Sequence, residues 1–311
     1  MDISVVITTY NRGSLLLRSI TSVLNQTYDS IEIIVVDDHS DIPAEDIIGR
    51  STIDPSSLTI YRHSQNRDVA AARNTGIRLA TGDWVAFLDD DDEWRPEKIE
   101  RQVEGVHQSG AGAIYTGIEH RHNGRTTAIK SPEITGDITK QLLQRNFIGT
   151  PSTIMARADL ITEVGGFDEQ LPICQDWDFN IRLSTLTTFE SIPEPLTIQH
   201  RHEESQLTDD YETRRRVTAP MLIKKHREIA ERFDVVSEFE ATVEAELGWV
   251  ALNNWDFGRA RSHFRRSLQY HGSVERFLLF LMAIGGPRTY SFFQRSKRAI
   301  PGGFKFKQET P

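Results

Sequence analysis

Cysteine is almost absent from this chain: Cys174 is the single one among 311 residues. An internal disulfide is therefore excluded, and a zinc site built from several cysteines lacks its ligands, so we expect a reducing compartment. The chain also shows no basic segment followed by a long apolar stretch before residues 3–7, which already have the composition of a strand. These absences predict a cytoplasmic protein without a secretion signal.

Positive charge and long apolar runs are also scarce. Lys and Arg number 36 against 45 Asp and Glu, which gives a formal charge of -9 at pH 7. A protein that binds nucleic acid needs a clustered excess of positive charge, so no nucleic-acid partner is expected. The longest unbroken apolar run, residues 277–284, is far shorter than the ~20 residues that cross a bilayer. We expect a chain that does not span a membrane by itself.

Three short β-rich runs are present at residues 3–7, 31–36 and 84–88, with helical patterns between them. This alternation is typical of an α/β fold whose central sheet is mostly parallel and flanked by helices. We expect one crossover helix capped by Ser14 and a second from Asp68 to Gly82, with further strands near 113–115 and at 152–155. A polar cluster follows each of the first three runs. Because ligands of open α/β sheets bind outside the carboxyl ends of the strands, these clusters should share one crevice.

The last of these clusters is an acidic run, Asp89 to Asp92, directly after an apolar strand. Adjacent carboxylates repel one another, and a hard divalent cation with diphosphate oxygens around it relieves that repulsion. Asp89 and Asp91 would direct their side chains to the same side if the backbone stays extended. A solvated acidic loop is the alternative interpretation.

Nine segments resemble, in order and spacing, the family 2 glycosyltransferases, which are inverting enzymes of the GT-A type. They lie within residues 3–12, 19–28, 33–41, 72–76, 80–84 and 87–92, and then within 151–153, 164–168 and 176–183. Each segment alone is a weak signal, but the ordered set is specific and covers roughly residues 1–205. The resemblance implies a Rossmann-like GT-A domain over 1–205 that moves a sugar from a nucleotide donor to an acceptor hydroxyl.

The resemblance also implies which positions bind the donor. These are Thr8, Thr9, Tyr10, Asp38, Arg73, Asp89 and Asp90. The first three would line the nucleotide base, and Asp38 would accept an N–H of that base, as expected for uracil. Arg73 would lie near the base or the diphosphate. The alternatives are helix–sheet packing for Tyr10 and a surface ion pair for Arg73.

A divalent metal, Mg²⁺ or Mn²⁺, is the implied cofactor, with Asp91, Asp89 and His202 as its ligands. His200 is the alternative to His202, and a pair of surface histidines is nearly as well supported. Asp176 matches the catalytic carboxylate of the family, the base that takes the proton of the acceptor hydroxyl. The alternative role for Asp176 is to cap the helix that follows it.

Residues 206–311 are expected to form a helical region, with one tetratricopeptide-like helix–turn–helix unit within 245–268. One such unit cannot bury its own apolar face, so it must pack on neighbouring helices, on the catalytic domain or on a partner. From Gly285 onward, six Lys and Arg stand against one Glu, interleaved with aromatic residues. That composition suits peripheral contact with an anionic membrane, and a helix packed on the repeat-like unit is the alternative.

The expected function is therefore transfer from a nucleotide sugar, such as a UDP-sugar, to a glycan or lipid-linked acceptor. The substrate would belong to a surface glycan or to a lipid-linked oligosaccharide, such as the precursor of protein N-glycosylation. Two other classes stay open. A haloacid-dehalogenase-type phosphohydrolase also places an Asp-x-Asp after a strand, and an inactive protein could use the repeat-like region as an adaptor.

Overall fold

The computed structural model describes residues 1–201 and 210–291, and the chain divides into two compact units. The first unit contains residues 1–139, 146–170 and 175–201. The second contains residues 140–145 and 171–174 together with the chain from residue 202 onward. The expected boundary at 205/206 lies outside the described residues, so that division of the chain remains a prediction.

The first half of the first unit is a parallel sheet with helical crossovers. Its strands are β1 (Ile3–Thr9), β2 (Ile31–Asp37), β3 (Leu58–Arg62) and β4 (Trp84–Asp89), and its helices are α1 (Gly13–Leu24), α2 (Ala44–Gly49) and α3 (Asp68–Leu79). The strands lie in the order β3-β2-β1-β4. Thr9 of β1 is level with Asp37 of β2, and Thr8 with Asp89 of β4. The expected α/β fold is confirmed, and the carboxyl ends of these strands form one edge.

The remaining elements of the first unit are β5 (Asp92–Trp94), α4 (Lys98–Ser109), β6 (Ala113–His122), β7 (Arg125–Lys130), β8 (Ile154–Arg157), α6 (Ala158–Glu163), α7 (Gln175–Ser184) and β9 (Phe189–Arg201). Helix α5 (Thr139–Gln144), between β7 and β8 in the chain, belongs to the second unit from its second residue onward. The sheet continues from β4 with mixed strand directions in the order β4-β8-β6-β9-β5, and β7 pairs with β6. The contacts of β4 with β8 and of β9 with β5 are antiparallel, whereas β6 and β9 run parallel.

Several predicted boundaries are wrong. Helix α1 begins at Gly13 with Arg12 at its N-cap and no capping side chain, so Ser14 is not the cap. Residues 151–153 form a 3₁₀ turn, in which the Thr150 side chain accepts a hydrogen bond from the Ser152 backbone N–H, and β8 starts only at Ile154. Helix α3 ends at Leu79, three residues before the expected Gly82.

Close packing of α3 on the sheet depends on a glycine. A Cβ atom at Gly76 would lie 2.2 Å from Cγ1 of Val6, a distance that no real side chain tolerates. The neighbouring positions 70–72 are alanines, all buried. Small side chains at these positions let α3 lie directly against β1, which fixes where its polar residues emerge at the edge of the sheet.

The second unit is helical in its described part. Its helices are α8 (Tyr211–Thr213), α9 (Ala219–Arg232), α10 (Val236–Asn253), α11 (Phe257–Tyr270) and α12 (Val274–Ile284), and a π-helical turn, Arg214–Thr218, joins α8 to α9. The predicted helix–turn–helix unit is confirmed as α10 and α11, although both helices extend beyond residues 245–268. It packs on neighbouring helices, with α9 against α10 and α12 against α11. In the described residues, no helix is both long enough and apolar enough to cross a bilayer.

Lys98, at the start of α4, is fully buried. Its Nζ donates a hydrogen bond to Oε1 of Gln102 at 2.7 Å and lies 3.8 Å from the centre of the Trp94 ring. Burial lowers the pKa of the Lys98 ammonium well below its ordinary 10.5. The ring face favours the charged form, but among the described residues no carboxylate forms an ion pair with Lys98, so the lost hydration is not compensated and the neutral form is favoured.

We predict that Lys98→Met raises the free energy of unfolding relative to wild type at pH 7 and that this gain shrinks toward pH 10. In the unfolded chain the amine keeps its ordinary pKa, so it binds a proton that the folded chain does not hold. Wild-type stability therefore falls as the pH drops below 10.5, by up to about 1.4 kcal/mol per pH unit, until the folded pKa is reached. Urea unfolding of both proteins across this range measures the effect.

Lys140→Met serves as the control, because Lys140 is exposed on α5 and the substitution should leave the pH dependence unchanged. A difference between Lys98→Met and wild type that stays constant with pH would contradict the prediction. It would mean that the Trp94 ring keeps the ammonium charged in the folded protein.

Candidate active site

The residue after β2, Asp38, is held at the edge of the sheet by neighbouring loops. Its buried Oδ1 lies 2.6 Å from Nδ1 of His63 and accepts a hydrogen bond from the backbone N–H of Arg67 at 2.9 Å. The other ring nitrogen of His63, Nε2, lies 2.9 Å from Oγ1 of Thr75 on α3. His63 directly follows β3, so three adjacent elements fix the orientation of this carboxylate.

The acidic run is not extended, which corrects the expectation for Asp89 and Asp91. Strand β4 ends at Asp89, residues 90–91 form a turn, and β5 starts at Asp92. The described contacts of Asp89 and Asp91 are with different partners. Asp89 pairs with Arg73 at 2.6 Å, whereas Asp91 pairs with Arg12 at 2.5 Å. A turn, rather than strand alternation, therefore sets the directions of these two side chains.

Hydrogen bonds from two threonine hydroxyl groups also hold the turn in place. Thr9, at the end of β1, donates from Oγ1 to Oδ2 of Asp90 at 2.7 Å. Thr150 Oγ1 lies 3.0 Å from Asp89 Oδ2 and 3.3 Å from Asp92 Oδ2, so the loop before β8 contacts both ends of the acidic run. The turn thus has a defined position relative to β1 and β8.

Arg73 is buried and its ion pair with Asp89 is partly buried, so a surface ion pair does not describe it. Its guanidinium also lies 5.2 Å from the centre of the Phe167 ring. The next residue, Asn74, accepts a hydrogen bond from the Phe167 backbone N–H and donates one to its carbonyl, both at 2.8 Å. Gly166, at φ +68°, leaves no space for a side chain beside Asn74 Oδ1. The motifs at 72–76 and 164–168 therefore interlock.

Tyr10 stands at the open end of β1. Its side chain is 47% exposed, so helix–sheet packing does not explain it, whereas Thr8 and Thr9 are buried. The next residue, Asn11, has a positive φ of 56° and accepts a hydrogen bond from the backbone N–H of Asp41 at 2.7 Å. The chain after β1 is thereby fastened to the loop after β2, and the Tyr10 ring is left open to a ligand.

His200 lies on β9, and its Nε2 is 2.7 Å from Oε1 of Glu93. Glu93 also lies 2.9 Å from Nε of Arg18. Burial lowers the pKa of the His200 imidazole, and the charge of Arg18 lowers it further, against the opposing effect of Glu93. His202, the preferred metal ligand of the sequence analysis, lies outside the described residues.

Asp176 is the second residue of α7, inside its first turn, so it does not cap the helix from the preceding position. It is half-buried beside the fully buried Trp177. Helix α7 is anchored through Asp178, whose Oδ2 accepts a hydrogen bond from Arg182 at 2.6 Å, and Arg182 also donates to the Gly166 carbonyl at 2.8 Å. The role of Asp176 as base remains a prediction.

Four residues that shape this edge were not predicted from the sequence. They are Arg12, His63, Asn74 and Thr150, each in direct contact with an acidic side chain or with the Phe167 turn. A signal existed for His63, because it follows a fourth parallel strand, but β3 was not predicted. Arg12 and Asn74 lie within segments that carry the family resemblance. Thr150 lies in a loop for which the sequence predicted no conformation.

Asp90 is the carboxyl whose protonation is most open to test. Burial raises its pKa to about 7, the hydrogen bond from Thr9 opposes this shift, and the charge of Asp91 adds to it. Burial also raises the pKa of Asp92 well above its ordinary value, and the charge of Asp91 again adds to the effect. Both shifts favour the protonated form of these buried carboxyls, and protonation weakens the repulsion within the run.

We predict that the stability of Asp90→Asn relative to wild type increases as the pH rises from 3.8 to about 7. A carboxyl whose folded pKa exceeds its unfolded value binds its proton more tightly in the folded state. Its stabilising effect is complete below 3.8 and is lost by about pH 7. Asparagine keeps an acceptor for Thr9 but does not titrate. Denaturant unfolding of both proteins across this pH range measures the difference in stability. Asp29→Asn, at an exposed position, is the control. A stability difference between Asp90→Asn and wild type that does not change with pH would refute the prediction.

Two solved structures have the same fold. TarS of S. aureus, in complex with UDP, superposes with a TM-score of 0.63 at 20% identity over 96% of this chain and 88% of that chain. The mannosyltransferase PcManGT of Pyrobaculum calidifontis, in complex with GDP-Man and Mn²⁺, gives 0.61 at 15% identity over 96% of this chain and 84% of that chain. Identities this low establish the fold alone.

Relatives with a similar sequence are named as glycosyltransferases. An uncharacterized glycosyltransferase of Haemophilus influenzae is 29% identical over 92% of this chain and 96% of its own length. The uncharacterized glycosyltransferase alr2836 of Nostoc is 35% identical over 46% of each chain. WfaP of Escherichia coli, a UDP-Glc:alpha-D-GlcNAc-diphosphoundecaprenol beta-1,3-glucosyltransferase, is 37% identical over 32% of this chain and 39% of its own length. This chain thus spans less than half of the latter two proteins. The family described as Glycosyl transferase family 2 matches residues 4–165, more than half of the chain, and the chain belongs to this family.

Proposed function

We propose that this glycosyltransferase moves a sugar from a UDP-sugar to a hydroxyl of a lipid-linked glycan precursor, with inversion at the anomeric carbon. The observation that carries the proposal is the edge formed by β1, β2 and β4. It bears the carboxylates of Asp38, Asp89 and Asp91 together with the guanidinium groups of Arg12 and Arg73. Carboxylates suit a hard cation and guanidinium groups suit phosphate oxygens, which are the two needs of a bound nucleotide diphosphate.

The base would be bound at the end of β1. The exposed Tyr10 ring offers a stacking surface, and the buried Thr8 and Thr9 fix the strand beneath it. Oδ1 of Asp38 is already occupied by His63 and Arg67, so Oδ2 is the oxygen offered to an N–H of the base. Uracil has such an N–H, and both the UDP in the TarS complex and the UDP-Glc in the name of WfaP support a uridine donor.

Asp89 and Asp91 are the proposed ligands of a divalent cation, Mg²⁺ or Mn²⁺. Their oxygens are hard donors, and their side chains are partly exposed at the sheet edge, which fits such an ion. Within residues 1–201 and 210–291, no three His, Cys, Asp or Glu side chains form a set able to hold a metal. Donor diphosphate oxygens, and His202 beyond the described range, would complete the shell. When bound, the cation would offset negative charge on the diphosphate leaving group.

In the protein without a ligand, the positive charges of Arg12 and Arg73 neutralise the carboxylates of Asp91 and Asp89. A guanidinium has five N–H donors, and a single carboxylate engages at most two of them, so each arginine can also donate to a diphosphate oxygen. Their contribution to the reaction would be to hold the diphosphate in place and to stabilise the charge that develops as the bond to the sugar breaks.

Asp176 is the proposed general base. It would take the proton of the acceptor hydroxyl as that oxygen attacks the anomeric carbon from the side opposite the leaving diphosphate, which inverts the configuration. Its half-buried position beside Trp177 favours a base with reduced hydration. Membership of the family removes the haloacid-dehalogenase alternative, since that chemistry belongs to another class of enzyme.

We predict that Asp176→Asn lowers the transfer rate by about 10²- to 10⁴-fold, the usual contribution of a general base. The amide cannot accept the hydroxyl proton, but it keeps the size and polarity of the side chain, so binding of the UDP-sugar should persist. Transfer is measured as release of UDP in the presence of acceptor, and donor binding by calorimetry with Mn²⁺ and with EDTA. Binding is expected only with the metal.

The matched control is Asp159→Asn on α6, whose exposed carboxylate pairs with the neighbouring Arg157. It should leave both transfer and donor binding unchanged. Undiminished transfer by Asp176→Asn would rule out the proposed base, and equal donor binding with and without Mn²⁺ would rule out the metal.

Helix α12 supports the proposed contact with an anionic membrane. Val274, Phe277, Leu278, Leu281 and Ile284 are 43 to 74% exposed and recur at helical spacing, so they form one apolar stripe. A stripe of this kind inserts into the interface of a bilayer. The basic sequence that follows, with six Lys and Arg against one Glu after residue 284, complements anionic headgroups.

We predict that the double variant Phe277→Glu, Leu281→Glu binds phosphatidylglycerol-containing vesicles at least about tenfold more weakly than wild type. Each side chain loses the ~1.5 to 3 kcal/mol that its burial in an apolar phase would contribute. Co-sedimentation measures the binding. Ile129→Glu, at an exposed apolar position on β7, is the control and should not change it. Weak binding by wild type, combined with a dimer by light scattering that the double variant abolishes, would assign the stripe to a second copy instead.

A further inference from the structure

A cavity of about 560 Å³ lies among α9, α10, α11 and the π-helical turn of the second unit. Five of its wall residues are apolar, namely Ala219, Pro220 and Ile223 on α9 and Val243 and Leu247 on α10. The volume is in the range of small-molecule sites, which run from about 300 to 1,000 Å³. Ala219, Val243 and Leu247 are buried, so the accessible apolar surface comes mainly from Pro220 and Ile223, and this surface would suit the first part of a hydrocarbon chain.

Four cationic side chains also line the cavity, beside its apolar residues. Arg215, Lys224, Arg227 and Arg266 line it. Among the described lining residues, Glu244 is the single carboxylate, and it is already engaged: its Oε2 lies 2.7 Å from Nδ1 of the buried His263 and 3.0 Å from Nε of Arg266. The wall therefore has an excess of positive charge in a chain whose formal charge is -9.

Carboxylates outside the wall compensate this excess only in part. Arg227 pairs with Glu240 at 2.7 Å. Arg215 reaches Glu212 at 3.6 Å, but the same carboxylate also pairs with Arg216 at 2.8 Å and Arg259 at 3.1 Å. No carboxylate of the described residues forms an ion pair with Lys224. Arg215 therefore shares its carboxylate with two guanidinium groups outside the wall, and Lys224 has no carboxylate partner among the described residues, so an anion in the cavity would stabilise both.

The π-helical turn that carries Arg215 has a local cause. Pro220, two residues after it, has no N–H to donate to the carbonyl of Arg216, so the regular α-helical bonding is interrupted there. π-Helical turns are rare and occur often at functional sites. The turn interrupts the regular helix at the segment that supplies Arg215 to the cavity wall.

We propose that this cavity binds the diphosphate group of an isoprenoid diphosphate, with the adjoining hydrocarbon chain on the apolar wall. The proposal rests on the proposed function, because it gives the lipid carrier of the acceptor a binding site of its own in the helical unit. Arg215, Arg227 and Arg266 present guanidinium forks and Lys224 a point charge to the phosphate oxygens. Free phosphate compounds share the charged group but lack the chain.

The test is titration of the full-length protein with farnesyl diphosphate, with saturating UDP and Mn²⁺ present to occupy the donor site. Wild type should bind farnesyl diphosphate. Inorganic pyrophosphate and farnesol, each of which lacks one half of the ligand, should bind at least about tenfold more weakly. Equal affinity for pyrophosphate would overturn the proposal by showing a free-phosphate site, and equal affinity for farnesol would overturn it by showing that the cations have no part.

Two variants locate the site. Lys224→Glu with Arg227→Glu should weaken farnesyl diphosphate binding at least about tenfold, whereas Lys224→Arg with Arg227→Lys should keep it. Arg232→Glu, an exposed position on α9 outside the cavity, is the matched control. Unchanged binding by the glutamate variant would overturn the proposal. UDP-sugar binding, measured in parallel, should be unaffected in all variants, and its absence in wild type would instead count against the proposed function.

Discussion

Mutual repulsion among the carboxylates of residues 89–92 is the constraint on which the rest of the site depends. Each carboxylate can stay at the end of β4 only if its charge is balanced or its proton retained. Arg73 and Arg12 supply cations, and Thr9 and Thr150 supply hydroxyl hydrogen bonds. These partners come from β1, the loop after it, α3 and the loop before β8. The acidic turn therefore joins segments that are distant in the sequence, and they can only meet if the sheet is correctly assembled.

The neutralisation of the Asp89 carboxylate by Arg73 depends on packing contacts that begin in the core. Gly76 lets α3 lie against β1, and this places Arg73 at the edge of the sheet. The neighbouring Asn74 fixes the Phe167 turn through two hydrogen bonds, and the Phe167 ring then lies beside the Arg73 guanidinium. A buried guanidinium needs both a carboxylate and a favourable contact for its planar face. The motifs of α3 and of the glycine turn satisfy these two needs together.

The sequence predicted the parallel half of the fold, since β1, β2 and β4 are continuous apolar runs that end in polar clusters, and the family resemblance is confirmed. It did not predict β3, whose alternating exposed residues lack such a run, and with β3 it missed His63. The expected directions of Asp89 and Asp91 depended on an extended backbone, and this condition is not met because residues 90–91 form a turn. Thr150 lies far along the chain from the acidic turn, and the pattern of local sequence has no information on such a contact.

The local balance of acidic and basic side chains differs between the sheet edge of the first unit and the cavity of the second. A chain of formal charge -9 repels phosphate at long range, with a screening length of about 8 Å at physiological salt. Phosphate therefore binds where basic groups outnumber acids locally, or where a metal ion offsets the excess of acids. At the sheet edge the acids prevail, so a diphosphate there needs a cation beyond Arg12 and Arg73, and this is the physical reason to expect a metal. In the cavity of the helical unit the bases prevail, so a diphosphate there needs none. The two sites thus differ in their expected dependence on Mn²⁺: donor binding should require it, and isoprenoid diphosphate binding should not.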